Sequence, residues 1–308
     1  MKTKDVIELA SKHLQELPGN VFDVLTVSKP VSIEAAINLS KIVSKLSPLV
    51  GNLIEFNIVE FLNDYNELEE LGEWKRQDPG FPDTIFEGSV NPTPGFEVKA
   101  WFPLATEITA RFKDSQNHFL EDQTYVVMLA WLPEYIIYGK PRIIDILITS
   151  GSSVAKARDD HYHNPPNYVV LEPENTSERT QNLQQTNTNG YKFQNEKGSF
   201  EDAEDFVNAW GEEGKIYKPD PEYQEQLRTL LRSFDYRLDT NFAKMDRIRH
   251  ADIEEFKTRV HATVYQGLTV GEWNKLLSRG SEEAIAAALE KHLRIKGDSE
   301  SEIVLDPN

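Results

Sequence analysis

The 308 residues can bury a sizeable core in one large domain or two smaller ones. The chain has no cysteine, which excludes disulfides, thiol catalysis and thiolate zinc sites and leaves a reducing cytoplasm as the expected location. A formal net charge of −18 argues against loose, nonspecific nucleic-acid binding, because that binding neutralises phosphates with Lys and Arg, yet it permits a local cationic cleft.

In chain order, residues 3–16 carry Val6, Ile7, Leu9, Ala10 and Leu14 at helical spacing. Ser32 caps a second predicted helix through about Lys45, between Pro30 and Pro48. A third runs from Pro48 to about Leu68, with Val50, Leu53, Ile54, Ile58, Phe61 and Leu62 as its stripe. No apolar stretch reaches membrane-span length, so no membrane is expected as a partner. Met1 to Glu8 shows no signal-peptide apolar region.

Strands are expected next. Asp83-Thr-Ile-Phe-Glu87 reads as one, and Asn91-Pro-Thr-Pro-Gly95 can turn it back onto Phe96-Glu-Val-Lys-Ala100. Thr124–Leu132 and Ile143–Ile148 read as buried strands, Tyr135–Tyr138 as a further one, and Tyr168–Leu171 as another. A short helix is predicted over Val154–His161, and helices over 201–210, 221–233, 251–263, 270–278 and 281–293. Helices, strands, then helices give an α/β (α+β) class: a mixed central sheet flanked by helices, with a mainly helical C-terminal part. We expect a core over 1–199, including a polar loop near 174–195, and a helical region over 200–308 ending in an acidic tail.

Asp83, Glu97 and Lys99 carry the chemistry. Side chains alternate across a strand, so Glu97 and Lys99 share one face while Phe96, Val98 and Ala100 point to the other. The apolar face goes to the core and the Glu/Lys face opens to a cleft. Mg²⁺ prefers oxygen ligands and is usually held by one or two carboxylates plus water and substrate phosphate. Lys99 can orient the attacking water, lower its pKa or balance charge on phosphorus. Glu55 lies among apolar neighbours on the third helix, and a carboxylate there needs a partner. It would add a metal ligand or orient a water, with Glu60 the less attractive alternative.

Pro82-Asp83 followed by Glu97-Val98-Lys99 resembles the PD-(D/E)xK nuclease motif of many type II restriction endonucleases. Gly51-x-x-x-Glu55 upstream is similar to an arrangement in the branch that includes the mismatch-repair nicking endonuclease. The match covers Gly51 to Lys99. The resemblance implies a restriction-endonuclease-like core: a four-stranded mixed sheet with flanking helices. It also implies Mg²⁺ at Asp83, Glu97 and Glu55, and cleavage of double-stranded DNA that leaves 5′-phosphate ends. Asp83, Glu97, Lys99 and Glu55 are then the catalytic set.

DNA contacts are expected from two further stretches. Arg179, Gln181, Asn182, Gln184, Gln185, Asn187, Asn189 and Lys192 form a polar loop whose amides can pair with adenine and whose arginine can pair with guanine. Asn189-Gly190 suggests a hairpin turn and hence a β-ribbon able to enter a groove. Lys244, Arg247 and Arg249, with Arg111 and Lys113 after the Glu97 strand, are candidate phosphate contacts. A palindromic target suits a two-fold homodimer, and a monomer cutting the strands in turn is the alternative. The competing functions are a repair or recombination nuclease of the same fold, and a non-enzymatic acidic cytoplasmic interaction protein. His161-Tyr-His163 lacks a second ligand pair. Gly151-Ser-Ser is not a nucleophile elbow, and neither a P-loop nor a dinucleotide loop occurs.

Overall fold

A computed structural model describes residues 1–77, 80–104, 123–163, 168–171, 191–194, 220–222 and 250–295, with single positions 205, 209 and 225. The chain forms two compact units, one of Met1–Ala157 with Arg249–Asn308 and one of Arg158–Ile248.

In the first unit, α1 (Thr3–Leu14) buries Val6, Ile7, Ala10 and Leu14, the stripe its spacing predicts. Ser32 caps α2 (Ile33–Ile42) by accepting from the Ala35 N–H at 3.1 Å. A 3-10 turn, Val43–Leu46, joins α2 to α3 (Ser47–Asn63). Pro48 does not end the run. It sits in the first turn of α3, where a missing N–H leaves no bond broken. The continuous helical run Ile33–Asn63, 31 residues, is long and apolar enough by length and composition to cross a membrane, contrary to expectation. One face of it is committed elsewhere: Val50, Ile54, Ile58 and Leu62 are buried, and α3 packs on β1 and β3 below.

Helix α3 stops five residues short of the predicted Leu68. The Asn63 amide accepts from the Trp74 N–H and donates to the Trp74 C=O, both at 2.8 Å, and so ties the helix end to β1 (Gly72–Arg76). That strand was not expected. It pairs antiparallel with β2 (Thr84–Gly88), which pairs antiparallel with β3 (Gly95–Trp101). Strand β3 runs parallel to β4 (Thr124–Pro133), and β4 antiparallel to β5 (Pro141–Ser150). The result is a five-stranded mixed sheet in the order β1-β2-β3-β4-β5. Tyr135–Tyr138 is not a strand. It forms the tight β4–β5 connection, with Ile136 at φ 66° and the Tyr135 N–H bonded to the Tyr138 C=O at 3.0 Å.

The two faces of β3 differ as alternation requires. Trp74, Phe86 and Phe96 form one aromatic row across three strands, with ring centroids 5.1–5.3 Å apart. Val98 and Ala100 continue that face under α3, where Gly51 lies 3.7 Å, measured from an ideal Cβ, from the Ala100 Cβ. The opposite face carries Glu97, Lys99 and Trp101. It is covered in part by α5 (Ala251–Ala262), through Phe256 on Trp101 (5.8 Å) and Asp252 accepting from the Thr149 hydroxyl (2.9 Å). Two further helices, α6 (Val270–Arg279) and α7 (Glu282–Leu293), follow a two-residue hairpin of β8 (Val264–Tyr265) and β9 (Leu268–Thr269), and α7 packs on α2. The helix α4 (Gly151–His163) starts three residues before the predicted one.

In the second unit, β6 (Tyr168–Leu171) pairs antiparallel with β7 (Tyr191–Gln194). The predicted Asn189-Gly190 turn lies outside the described residues, as do almost all of the predicted helices over 201–210 and 221–233.

Candidate active site

The site sits where β2 and β3 part. The two strands pair at only two positions, Thr84↔Phe96 and Ile85↔Gly95. Beyond Phe96, β3 has no β2 backbone to bond. The Val98 N–H, left without a ladder partner, instead donates to Asp83 Oδ2 at 2.8 Å. That bond fixes the Asp83 carboxylate beside Glu97 and Lys99. Gly95 makes the close approach possible, because a Cβ there would collide with Pro82 Cγ and lie 3.0 Å from the Thr84 carbonyl.

Lys99 Nζ stands 2.5 Å from Glu97 Oε1, 3.4 Å from Asp83 Oδ2 and 3.1 Å from the Val98 carbonyl. Glu97 is 8% exposed, deeper than the open strand face expected from alternation alone. Its second oxygen, Oε2, is buried with no hydrogen-bond partner. Burial raises the Glu97 pKa above the ordinary carboxylate value, and the neighbouring Asp83 carboxyl adds to the rise while Lys99 opposes it. For Lys99, burial works to lower the pKa, but Glu97, Asp83 and Glu55 outweigh it and hold the ammonium above its usual value. The lysine is therefore cationic at neutral pH.

Glu55, half-buried on α3, feels the same group of charges. Its pKa rises from 4.5 to about 7, first through burial, then through Asp83, with Lys99 and Arg76 pulling the other way. Arg76 ends β1 opposite Thr84, next to Asp83 in register, and is a member of the cluster that sequence reasoning missed. Glu60, the alternative, lies exposed on the same helix.

The sign of the Glu55 effect gives a test. A carboxyl with a raised folded-state pKa costs stability that is fully present above the folded pKa and absent below the unfolded one. Glu55→Gln is therefore expected to stabilise the protein at pH 8, by about 1 kcal/mol after discounting for solvent screening. Below pH 4.5 the gain disappears, since the wild-type carboxyl is protonated in both states. Thermal melts at the two pH values check this.

Three carboxylates (Glu55, Asp83, Glu97) face two cations (Lys99, Arg76), so the site has a surplus of acid. Among the described residues no group of three or more His, Cys, Asp or Glu is disposed to hold a metal. The donors suited to one are the Asp83 and Glu97 carboxylates, with the partnerless Glu97 Oε2 as a ready ligand atom. Two hard oxygen donors plus water and phosphate suffice for Mg²⁺.

The other candidates are placed elsewhere. Arg111, Lys113, Arg179, Gln181, Asn182, Gln184, Gln185, Asn187, Asn189, Lys244, Arg247 and Arg249 lie outside the described residues. Lys192 is on β7, opposite Val170 in the second unit. His161 and His163 fall on α4, not on a strand. No family model, curated protein or solved structure matches the chain.

Proposed function

We propose that the protein is a Mg²⁺-dependent endonuclease that hydrolyses phosphodiester bonds of double-stranded DNA, a site-specific deoxyribonuclease of restriction type leaving 5′-phosphate ends. The observation that carries this reading is the convergence of Asp83, Glu97 and Lys99 at the parting of β2 and β3, with Glu97 Oε2 unpartnered. A mixed sheet with α3 on one face, Asp83 immediately before β2 and Glu97 on the neighbouring β3 is in keeping with the PD-(D/E)xK resemblance.

In this reading Asp83 and Glu97 would hold the ion and Glu55 would orient a water beside it. Mg²⁺ bound there supplies Lewis-acid polarisation of the phosphate and acidification of water. The chain's own groups do the rest. Lys99, cationic and fixed by two carboxylates, offers its Nζ to the attacking water or to charge developing on a phosphoryl oxygen. Asp83, held by the Val98 N–H, keeps its position without rearrangement as substrate arrives. The raised pKa of Glu55 places it near the ambient pH, where a group can accept a proton from water and return it.

Supercoiled plasmid incubated with the protein and Mg²⁺ tests the reading. Discrete linear products that disappear with EDTA are expected. A smear assigns a repair or recombination nuclease instead. Intact plasmid across several targets, with Mg²⁺ neither binding nor stabilising the protein, returns the assignment to an acidic interaction protein.

A further inference from the structure

Two exposed phenylalanines adjoin carboxylates of the site. Phe56, 51% exposed, follows Glu55 on α3, and Phe81, 43% exposed, stands two residues before Asp83. Phe86, Phe96, Phe102 and Phe256 are buried, as the apolar surface of the ring favours. Single exposed apolar residues are ordinary on a protein surface, so exposure alone selects neither ring. Position does. The Cα of Phe56 lies about 3.8 Å from that of Glu55, and the Cα of Phe81 no more than about 7.6 Å from that of Asp83. Asp83 is the charge acting most strongly on Glu55, so α3 and the turn before β2 border the same site.

The turn that carries Phe81 is tied down at both ends. The Gln77 N–H donates to the Asp83 C=O at 2.8 Å and closes the connection between β1 and β2. Pro82 packs on Gly95 of β3, so closely that a Cβ on Gly95 would strike its Cγ. Arg76, the last residue of β1, is exposed at the base of the same turn. A ring presented on such a turn has little freedom left to lose on binding.

We propose that Phe56 and Phe81 stack on bases, one on either side of the scissile phosphate, and that the DNA is cut at a step that has been unstacked. This rests on the nuclease reading and adds to it the shape of the substrate. Charge decides the occupant. Glu55, Asp83, Lys99 and Arg76 share the site that the rings border. An apolar protein or lipid surface laid over the rings would desolvate those charges without pairing them. A nucleotide brings a base for the ring together with a phosphate for Arg76 and for a cation held by the carboxylates. In a stacked duplex the base faces are covered and only edges reach the grooves, so the rings can engage only a step that opens. Pyrimidine–purine steps open most readily, and the cut is expected at or beside one.

Plasmid cleavage locates the cut, and a short duplex spanning it is the probe. Phe81→Ala is expected to lower kcat/KM on the intact duplex about tenfold, the loss of one base–aromatic stack, and Phe56→Ala by a similar factor. Both rings are exposed, so circular dichroism and melting should match wild type. On a duplex mismatched at the cut step, which is already open, Phe81→Ala should come within about twofold of wild type. Phe81→Trp should cleave the intact duplex as wild type does. Permanganate, which oxidises thymines that have lost their stacking, reads the opening without turnover. With Lys99→Ala and Mg²⁺ it should modify a thymine next to the cut, and adding Phe81→Ala should leave that thymine protected. Unimpaired cleavage by Phe81→Ala, an equal loss on intact and mismatched duplexes, or thymines protected throughout overturns the stacking and leaves the nuclease reading standing. A chain that cuts no duplex overturns both.

Discussion

Lys99→Ala is expected to reduce Mg²⁺-dependent cleavage by about 10²–10³-fold, the loss typical of removing one preorganised charge from a reacting centre. The same change should destabilise the fold in a pH-dependent way. With Nζ gone, Glu97 Oε1 loses its 2.5 Å partner and joins Oε2, which already has none. A buried carboxylate in that state costs about 1–3 kcal/mol while charged. Protonation relieves it, and burial already raises the Glu97 pKa. The stability gap between wild type and Lys99→Ala should therefore be small at acid pH and widen as pH rises through the Glu97 pKa. Lys99→Arg separates the two roles. It keeps a cation against Glu97 but changes the donor geometry, so stability should recover further than activity. Cleavage by Lys99→Ala within about threefold of wild type, a gap well short of one preorganised donor, would remove Lys99 from the chemistry.

The sequence showed the core of this site more clearly than its surroundings. Alternation in Phe96-Glu-Val-Lys-Ala100 put Glu97 and Lys99 on one face, and β3 is built that way. Strands β4 and β5 were plain because both are rich in Val, Ile and Leu, β4 inside the sheet and β5 at its edge. What escaped depends on distant residues. Gly72-Glu-Trp-Lys-Arg76 has one strongly buried residue, Trp74, and becomes a strand because β2 and the Asn63 amide hold its backbone. Arg76 joined the charge cluster only through that pairing. The depth of Glu97 was invisible for the same reason. It sits on the sheet face that α5, some 150 residues later, helps to cover. The bond from Val98 to Asp83 follows from how early β2 and β3 separate, which no local pattern encodes.

Asp83 allows the strongest separation of fold from function. Its Oδ2 accepts the Val98 N–H at 2.8 Å and faces Lys99 Nζ at 3.4 Å, so one oxygen does structural and electrostatic work together. Asparagine keeps an acceptor for the Val98 N–H and loses the charge. Alanine loses both. Asp83→Asn is therefore expected to melt close to wild type, and Asp83→Ala to be destabilised by about 1–2 kcal/mol, since it strands a partly buried N–H. For cleavage the two should be alike, each down at least 10²-fold, because Glu97 alone is a poor site for a hard divalent ion. Mg²⁺ should raise the wild-type Tm, more at pH 8 than at pH 5, since Glu55, with its pKa raised to about 7, holds a proton at the lower pH that a cation must displace. In Asp83→Asn that rise should vanish while the melting point without metal stays near wild type. An unchanged Mg²⁺-induced rise in Asp83→Asn would place the ion elsewhere, and with it the chemistry assigned to the parting of β2 and β3.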